Sequence, residues 1–285
     1  MTRLHTRITG RGAHTIVLLG ALGSSVDMWT YVQDRLSVAG TGTTDHSPAR
    51  VIAIDHRGHG ESALPERNPD GGPDVTVADL AADVTETLDQ LGLDGNGTAG
   101  RYDLVGLSIG GAVAQHLAGS PETRDRVRTL TLMCTAPTFG SPEDWTAKAT
   151  GVRASGRSTL QDLAEGTVQR WLTPGYLADH PATADAIESM IARTSPEGYA
   201  QCCEVLSRFD GHDLLTGITA PTLTVAGASD PTCPPETVKE MADAVAANGV
   251  SDGVARHEVV DPGAHLLPAQ QPDAVAELLA RHVGL

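Results

Sequence analysis

The 285-residue chain is 40% hydrophobic and 20% charged but only 3% aromatic, enough aliphatic side chain for a large core in one big domain or two small ones. Its formal net charge of −16 repels phosphate backbones and anionic lipid headgroups, which argues against nucleic acid and membrane surfaces as partners. No run approaches the roughly 18 apolar residues of a membrane span, and residues 1–7 lack the apolar stretch of a secretion signal, so a soluble, cytoplasmic protein is expected.

In chain order, short apolar runs alternate with helical stretches from residue 14 to residue 135, which predicts a mostly parallel sheet flanked by helices, an α/β architecture. Residues 15–19, 51–55, 102–106 and 128–134 read as buried strands. Over residues 76–91, Val77, Leu80, Val84, Leu88 and Leu91 recur at steps of three and four before Gly92, an amphipathic helix with a stop signal. Residues 111–118 continue a second helix. From about Phe139 to Asp213 no strand pattern appears, and short helical groupings break at Pro174, Pro181 and Pro196. The strand pattern resumes at 221–227 and 256–260, with helices at 236–247 and 272–283. This predicts a core of residues 1–138 and 214–285 with a helical cap, 139–213, inserted before the last strands. Residues 41–47 and 94–100 read as polar, Gly-rich loop insertions.

The four cysteines, Cys134, Cys202, Cys203 and Cys233, read as reduced thiols, and no histidine pair has metal-ligand spacing, so neither a metal nor an organic cofactor is expected. His56 and His59 lie in a Gly-rich loop, 55–62, that reads as structural.

The chemistry gathers at strand ends. Gly106-Leu-Ser-Ile-Gly110 matches G-x-S-x-G between a strand and a helix, a sharp turn on which the hydroxyl of Ser108 projects as a candidate nucleophile. A serine needs a base, and the base an orienting acid. His265 and Asp230 each follow a late strand, and the chain order Ser108, Asp230, His265 suits a Ser-His-Asp triad; Asp210, Asp213, Asp252 and Asp261 are rival acids. An oxyanion needs backbone N–H donors, each worth about 3 to 4 kcal/mol. Ile109 follows the nucleophile, and Leu22 lies in the Gly-rich loop after the first strand.

These residues carry a resemblance. Leu19-Gly-Ala-Leu-Gly-Ser-Ser25, Asp55-His-Arg-Gly-His-Gly-Glu-Ser62, Gly106-Leu-Ser-Ile-Gly-Gly111, Gly227-Ala-Ser-Asp230 and Pro262-Gly-Ala-His265 resemble the α/β-hydrolase fold family. Within it, Arg170-Trp-Leu-Thr-Pro174, Thr194-Ser-Pro-Glu-Gly-Tyr-Ala-Gln-Cys-Cys203, Ser24-Ser-Val-Asp-Met-Trp29 and Pro234-Pro-Glu236 are most similar to the enol-lactonases of the β-ketoadipate route of aromatic-compound breakdown. The resemblance implies hydrolysis of 3-oxoadipate enol-lactone, a small carboxylated substrate, through an acyl-enzyme and without a cofactor. A carboxylesterase or carbon–carbon bond hydrolase would use the same triad, and a slow or non-catalytic ligand receptor the same fold. The substrate carboxylate sits awkwardly with a charge of −16, so a local cation or donor cluster is expected in the cap, where Trp145, Arg153, Arg170, Trp171 and Arg193 are the candidates.

Overall fold

A computed structural model describes residues 3–12, 14–38, 49–65, 75–94, 100–248 and 255–285. The loop 41–47, residues 95–99 of the loop 94–100, and the rival acid Asp252 lie outside them.

Among the described residues seven strands form one sheet: β1 (Thr6–Thr9), β2 (Thr15–Leu19), β3 (Arg50–Ile54), β4 (Tyr102–Leu107), β5 (Val127–Met133), β6 (Thr222–Gly227) and β7 (Ala255–Val260), in the order β1-β3-β2-β4-β5-β6-β7. All neighbours are parallel except β1, which runs antiparallel to β3 at the edge. Every residue of β2 and β4 is buried, as parallel strands with both faces covered must be. Alternation along β2 sends Val17 and Leu19 to one face, where α2 (Val77–Gln90), α3 (Ile109–Gly119) and α10 (Pro235–Ala246) pack. Ile16 and Leu18 point to the other, covered by α1 (Thr30–Val38) and α12 (Pro272–Val283).

Local chemistry sets the helix starts. Thr76 Oγ1 accepts from the Asp79 N–H at 3.3 Å while the Asp79 carboxylate accepts from the Thr76 N–H at 2.8 Å, a reciprocal box that opens α2. Between β5 and β6 come α4 (Pro142–Ser155), α5 (Arg157–Trp171), α6 (Pro174–Asp179), α7 (Pro181–Arg193), α8 (Pro196–Arg208) and α9 (His212–Gly217), with no strand among the described residues. The three prolines that break the pattern each open a helix, where a missing N–H does no harm. A short helix, α11 (Leu267–Gln270), precedes α12.

The strand order reverses beside β2, so the loops leaving β2 and β4 diverge from a common edge, the place where open α/β sheets collect ligands. Pairing of Leu19 with Gly106 sets those two loops side by side. The loop after β3 braces this edge. Asp55 Oδ1 accepts from the Val26 N–H at 2.6 Å and Oδ2 from the Glu61 N–H at 3.0 Å, while the Arg57 guanidinium donates to Asp83 of α2 at 2.6 Å. His56 Nε2 donates to the Gly20 carbonyl at 3.0 Å.

His56 and His59 are wholly buried, which lowers His56 to about 4, with Arg57 adding to the effect, and His59 to about 3, with His56 adding. His59 Nδ1 donates to the Arg57 carbonyl at 2.9 Å, and its buried Nε2 has no hydrogen-bond partner among the described residues to receive an added proton. The unfolded chain binds these protons near pH 6.5, so their contribution to stability is complete above that pH. It is lost progressively as pH falls from about 6.5, and the loss is complete at about 4 for His56 and about 3 for His59, on the order of 3 kcal/mol or more per imidazole. Denaturant unfolding followed from pH 7 to pH 4 is expected to show this loss. In His59→Asn the slope between pH 4 and pH 6 should be shallower by close to one proton; an unchanged slope would mean that His59 titrates normally.

Candidate active site

Ser108 lies between β4 and α3, in the capping position of the helix, at φ 58° and ψ −119°, a left-handed conformation that costs a non-glycine residue about 1 to 3 kcal/mol. Its neighbours show why the turn can form. A Cβ on Gly106 would come within 2.2 Å of the Gly110 carbonyl oxygen, and one on Gly110 within 2.5 Å of the Leu19 carbonyl oxygen. Glycines at both positions let β2, β4 and α3 close on one another. Three hydrogen bonds fasten the turn: Ser108 N–H to the Met133 carbonyl at 3.1 Å, Gly110 N–H to the Gly20 carbonyl at 3.1 Å, and Thr135 Oγ1 to the Ser108 carbonyl at 2.7 Å. The Ser108 side chain makes no hydrogen bond of its own among the described residues.

Asp230 and His265 come together beyond β6 and β7. His265 Nδ1 lies 2.8 Å from Asp230 Oδ2, with both side chains almost completely buried. Asp230 Oδ1 accepts from the Thr232 N–H at 2.8 Å and the Cys233 N–H at 3.1 Å. Pro231 removes no donor that the carboxylate uses. The turn bearing His265 passes tightly over β6, since a Cβ on Gly227 would sit 2.1 Å from the Ala264 carbonyl oxygen, and Ser229 N–H donates to the Gly263 carbonyl at 2.8 Å. The rivals Asp210 and Asp213 are placed elsewhere: Asp210 bonds exposed His212, and Asp213 lies in the first turn of α9.

Cys134 connects the two halves. It follows β5, pairs its N–H with the Val225 carbonyl at 2.8 Å and adopts φ 44°. Its sulfur, an Asp230 carboxylate oxygen and a His265 ring nitrogen lie within 4.8 Å of one another, the single grouping of three potential metal ligands among the described residues. Burial and the adjacent Asp230 charge push the Cys134 thiol well up, so it stands beside the pair as a neutral group. Because Ser108 bonds the residue before it, Cys134 marks how near the serine turn lies to the Asp230–His265 pair. Sequence reasoning gave this cysteine no part in the site, although it too follows an apolar strand at the same sheet edge.

The N–H groups of Ile109 and Leu22 donate to no acceptor among the described residues. Both belong to the two loops that the Leu19–Gly106 pairing places together, and both residues are buried.

The five candidates for holding a substrate carboxylate have unequal surroundings. The Trp171 ring lies 6.0 Å, centroid to centroid, from His265, and its carbonyl accepts from the Leu266 N–H at 2.9 Å, which docks the end of α5 on the His265 turn. Trp145 is half-buried and donates to the Phe139 carbonyl at 2.7 Å. Arg170 is exposed and donates to Thr167 Oγ1 at 3.2 Å. Arg153 does not supply a free charge: Glu197 holds it at 2.9 Å and Glu204 at 3.1 Å, and hydrogen bonding to these carboxylates pushes the guanidinium pKa further up. Arg193 is exposed in a surface groove with Asp27, Tyr31 and Met190, a groove that none of Ser108, Asp230 and His265 lines.

No helix among the described residues is long and apolar enough to cross a membrane. The chain is 33% identical to 3-oxoadipate enol-lactonase 2 of Acinetobacter baylyi over 221 residues, 76% of this chain and 71% of that protein. Its fold superposes on the crystal structure of the enol-lactonase from Burkholderia xenovorans LB400 with a TM-score of 0.84 and 29% identity, covering 99% of this chain and 96% of the other. A thermophilic esterase from Thermogutta terrifontis gives 0.82 and 28%, over 99% and 94%. The profile of the alpha/beta hydrolase family matches residues 16–278, and with the strand order and the serine turn described above the chain belongs to that family.

Proposed function

We propose that the protein opens 3-oxoadipate enol-lactone to 3-oxoadipate, with residues 139–213 acting as a cap over a core of 1–138 and 214–285. The buried hydrogen bond between His265 Nδ1 and Asp230 Oδ2, at the edge where the Ser108 turn emerges, carries this reading. Likeness to two enol-lactonases narrows the substrate.

In this mechanism Ser108 Oγ attacks the lactone carbonyl carbon as its proton passes to His265 Nε2, and the Asp230 carboxylate stabilises the imidazolium. The carbonyl oxygen becomes an oxyanion bonded by the N–H groups of Ile109 and Leu22. Collapse breaks the ring C–O bond as the leaving enolate takes the proton held on His265 Nε2 and becomes a ketone. Water then gives a proton to the freed His265 and attacks the acyl-enzyme, and in a second collapse His265 returns that proton to Ser108 Oγ as the new carboxylic acid leaves and ionises.

A neutral-ester hydrolase is the second reading, favoured by the similarly high structural likeness to the Thermogutta terrifontis esterase. Steady-state hydrolysis of freshly generated 3-oxoadipate enol-lactone, set beside a neutral aryl ester, separates the two. The proposal expects kcat/KM for the lactone to exceed that for the ester by at least tenfold to a hundredfold. Turnover of the aryl ester alone would leave an esterase.

A further inference from the structure

Among the described residues, two that are not glycine have positive φ: Ser108 at 58° and Cys134 at 44°. A side chain in that region strains the backbone, whereas a glycine adopts it freely. Ser108 carries its strain as the proposed nucleophile. A thiol kept at a position where glycine would be unstrained points to a use for the sulfur.

The surroundings of Cys134 show what that use is. The residues on either side of it grip the nucleophile's turn: the Met133 carbonyl accepts from the Ser108 N–H at 3.1 Å, and Thr135 Oγ1 donates to the Ser108 carbonyl at 2.7 Å. Cys134 itself is anchored to β6 by its N–H, 2.8 Å from the Val225 carbonyl. Its sulfur donates at 3.8 Å to the carbonyl of Ala264, the residue before His265, and lies within 4.8 Å of an Asp230 carboxylate oxygen and a His265 ring nitrogen. The Ala264 N–H is held by Gln270 Oε1 at 3.1 Å, so both polar groups of that peptide neighbour are engaged. Three consecutive residues thus join the serine turn to the imidazole and its acid. The thiol suits the place. Burial and the Asp230 charge keep it protonated, so it brings no second anion to the imidazole, and its bulk excludes water from the Asp230–His265 bond.

We propose that Cys134 is a positioning residue, whose thiol clamps the His265 turn against the end of β5 and holds the Asp230–His265 pair where the imidazole reaches Ser108. The role rests on the Ser108–His265–Asp230 reading of the site but not on the choice of substrate.

Three variants separate the sulfur from the strained backbone. Cys134→Gly removes the side chain and relieves the strain, Cys134→Ala removes the sulfur and keeps the strain, and Cys134→Ser keeps the strain and a donor. On whichever of the enol-lactone and the aryl ester the wild type turns over, the glycine and alanine variants should each lose about tenfold to a hundredfold in kcat, with KM within about twofold. The serine variant should recover most of that loss. Cys134→Gly should melt no lower than Cys134→Ala, so the kinetic loss does not follow stability. The downfield proton resonance of His265 Nδ1–H should be sharp in wild type and Cys134→Ser and broadened by exchange with water in the other two. Wild-type kcat with a sharp resonance in Cys134→Gly or Cys134→Ala would overturn the role, as would equal changes in kcat and KM. So would an active glycine variant beside an inactive alanine one, because strain alone would then explain the loss. If Ser108→Ala is inactive while the Cys134 variants match wild type, the role fails and the triad stands; if Ser108→Ala keeps the wild-type rate, both fail. Should wild type turn over neither substrate, the hydrolase reading fails and the resonance decides the clamp: broadening on loss of the sulfur supports it, and a sharp line ends it.

Discussion

Replacing Ser108 by alanine should lower turnover of the enol-lactone by about 10⁴-fold or more while leaving the fold intact. The left-handed turn is held by backbone contacts through Gly106, Gly110 and the hydrogen bonds to Met133, Gly20 and Thr135, none of which uses the serine hydroxyl. Alanine meets the same backbone strain as serine, so unfolding free energy should change by no more than about 1 kcal/mol. The substrate should still bind, because the Ile109 and Leu22 N–H groups proposed to hold its carbonyl oxygen are untouched. Steady-state kinetics, labelling by a serine-reactive phosphonate and thermal unfolding check the three parts. Wild type should incorporate one label per chain and Ser108→Ala none. A rate within tenfold of wild type in a well-folded variant would remove Ser108 as nucleophile.

The sheet was legible where burial on both faces makes a strand a plain apolar run. Residues 15–19 match β2 in full, and the expected strands at 51–55, 102–106 and 128–134 differ from β3, β4 and β5 by a residue at one or both ends. Strand β1 was not, because Thr-Arg-Ile-Thr is short, polar and half-covered, and an antiparallel edge strand needs no apolar run. Helix α1 also escaped notice: its buried set, Val32, Gln33 and Leu36, includes a glutamine that bonds the Arg7 and Val51 carbonyls. Ser108, Asp230 and His265 were singled out for one shared reason, that each lies in the turn after a strand at the same sheet edge. The cap hides more. Arg153 looked like a free cation because its partners, Glu197 and Glu204, come from another helix 44 and 51 positions along the chain. Cys134 shares the strand-end signal, yet its meaning depends on where Asp230 arrives after β6.

Asp230→Asn should be almost as damaging as loss of the nucleophile, about 10³ to 10⁴-fold in kcat, although the side chains have nearly the same shape. The hydrogen bonds around the carboxylate say why. Oδ1 accepts two backbone donors, Thr232 N–H and Cys233 N–H, at 2.8 and 3.1 Å. In the asparagine variant those donors select the amide oxygen for that position, because an NH₂ group there would face two N–H groups in a buried site. The NH₂ then takes the place of Oδ2 and donates to His265 Nδ1, where the wild-type carboxylate accepts from it at 2.8 Å. An imidazole that accepts at Nδ1 carries its proton on Nε2, the nitrogen proposed to receive the proton of Ser108. The base is thus blocked by its tautomer while its position is kept, so KM for the lactone should change little and the loss should fall on kcat. Nitrogen-15 NMR of His265 should report the exchanged tautomer, a signature that a merely structural Asp230 would not produce. A variant with wild-type kcat, or one whose imidazole keeps its proton on Nδ1, would remove Asp230 as the orienting acid and return the choice to the other carboxylates.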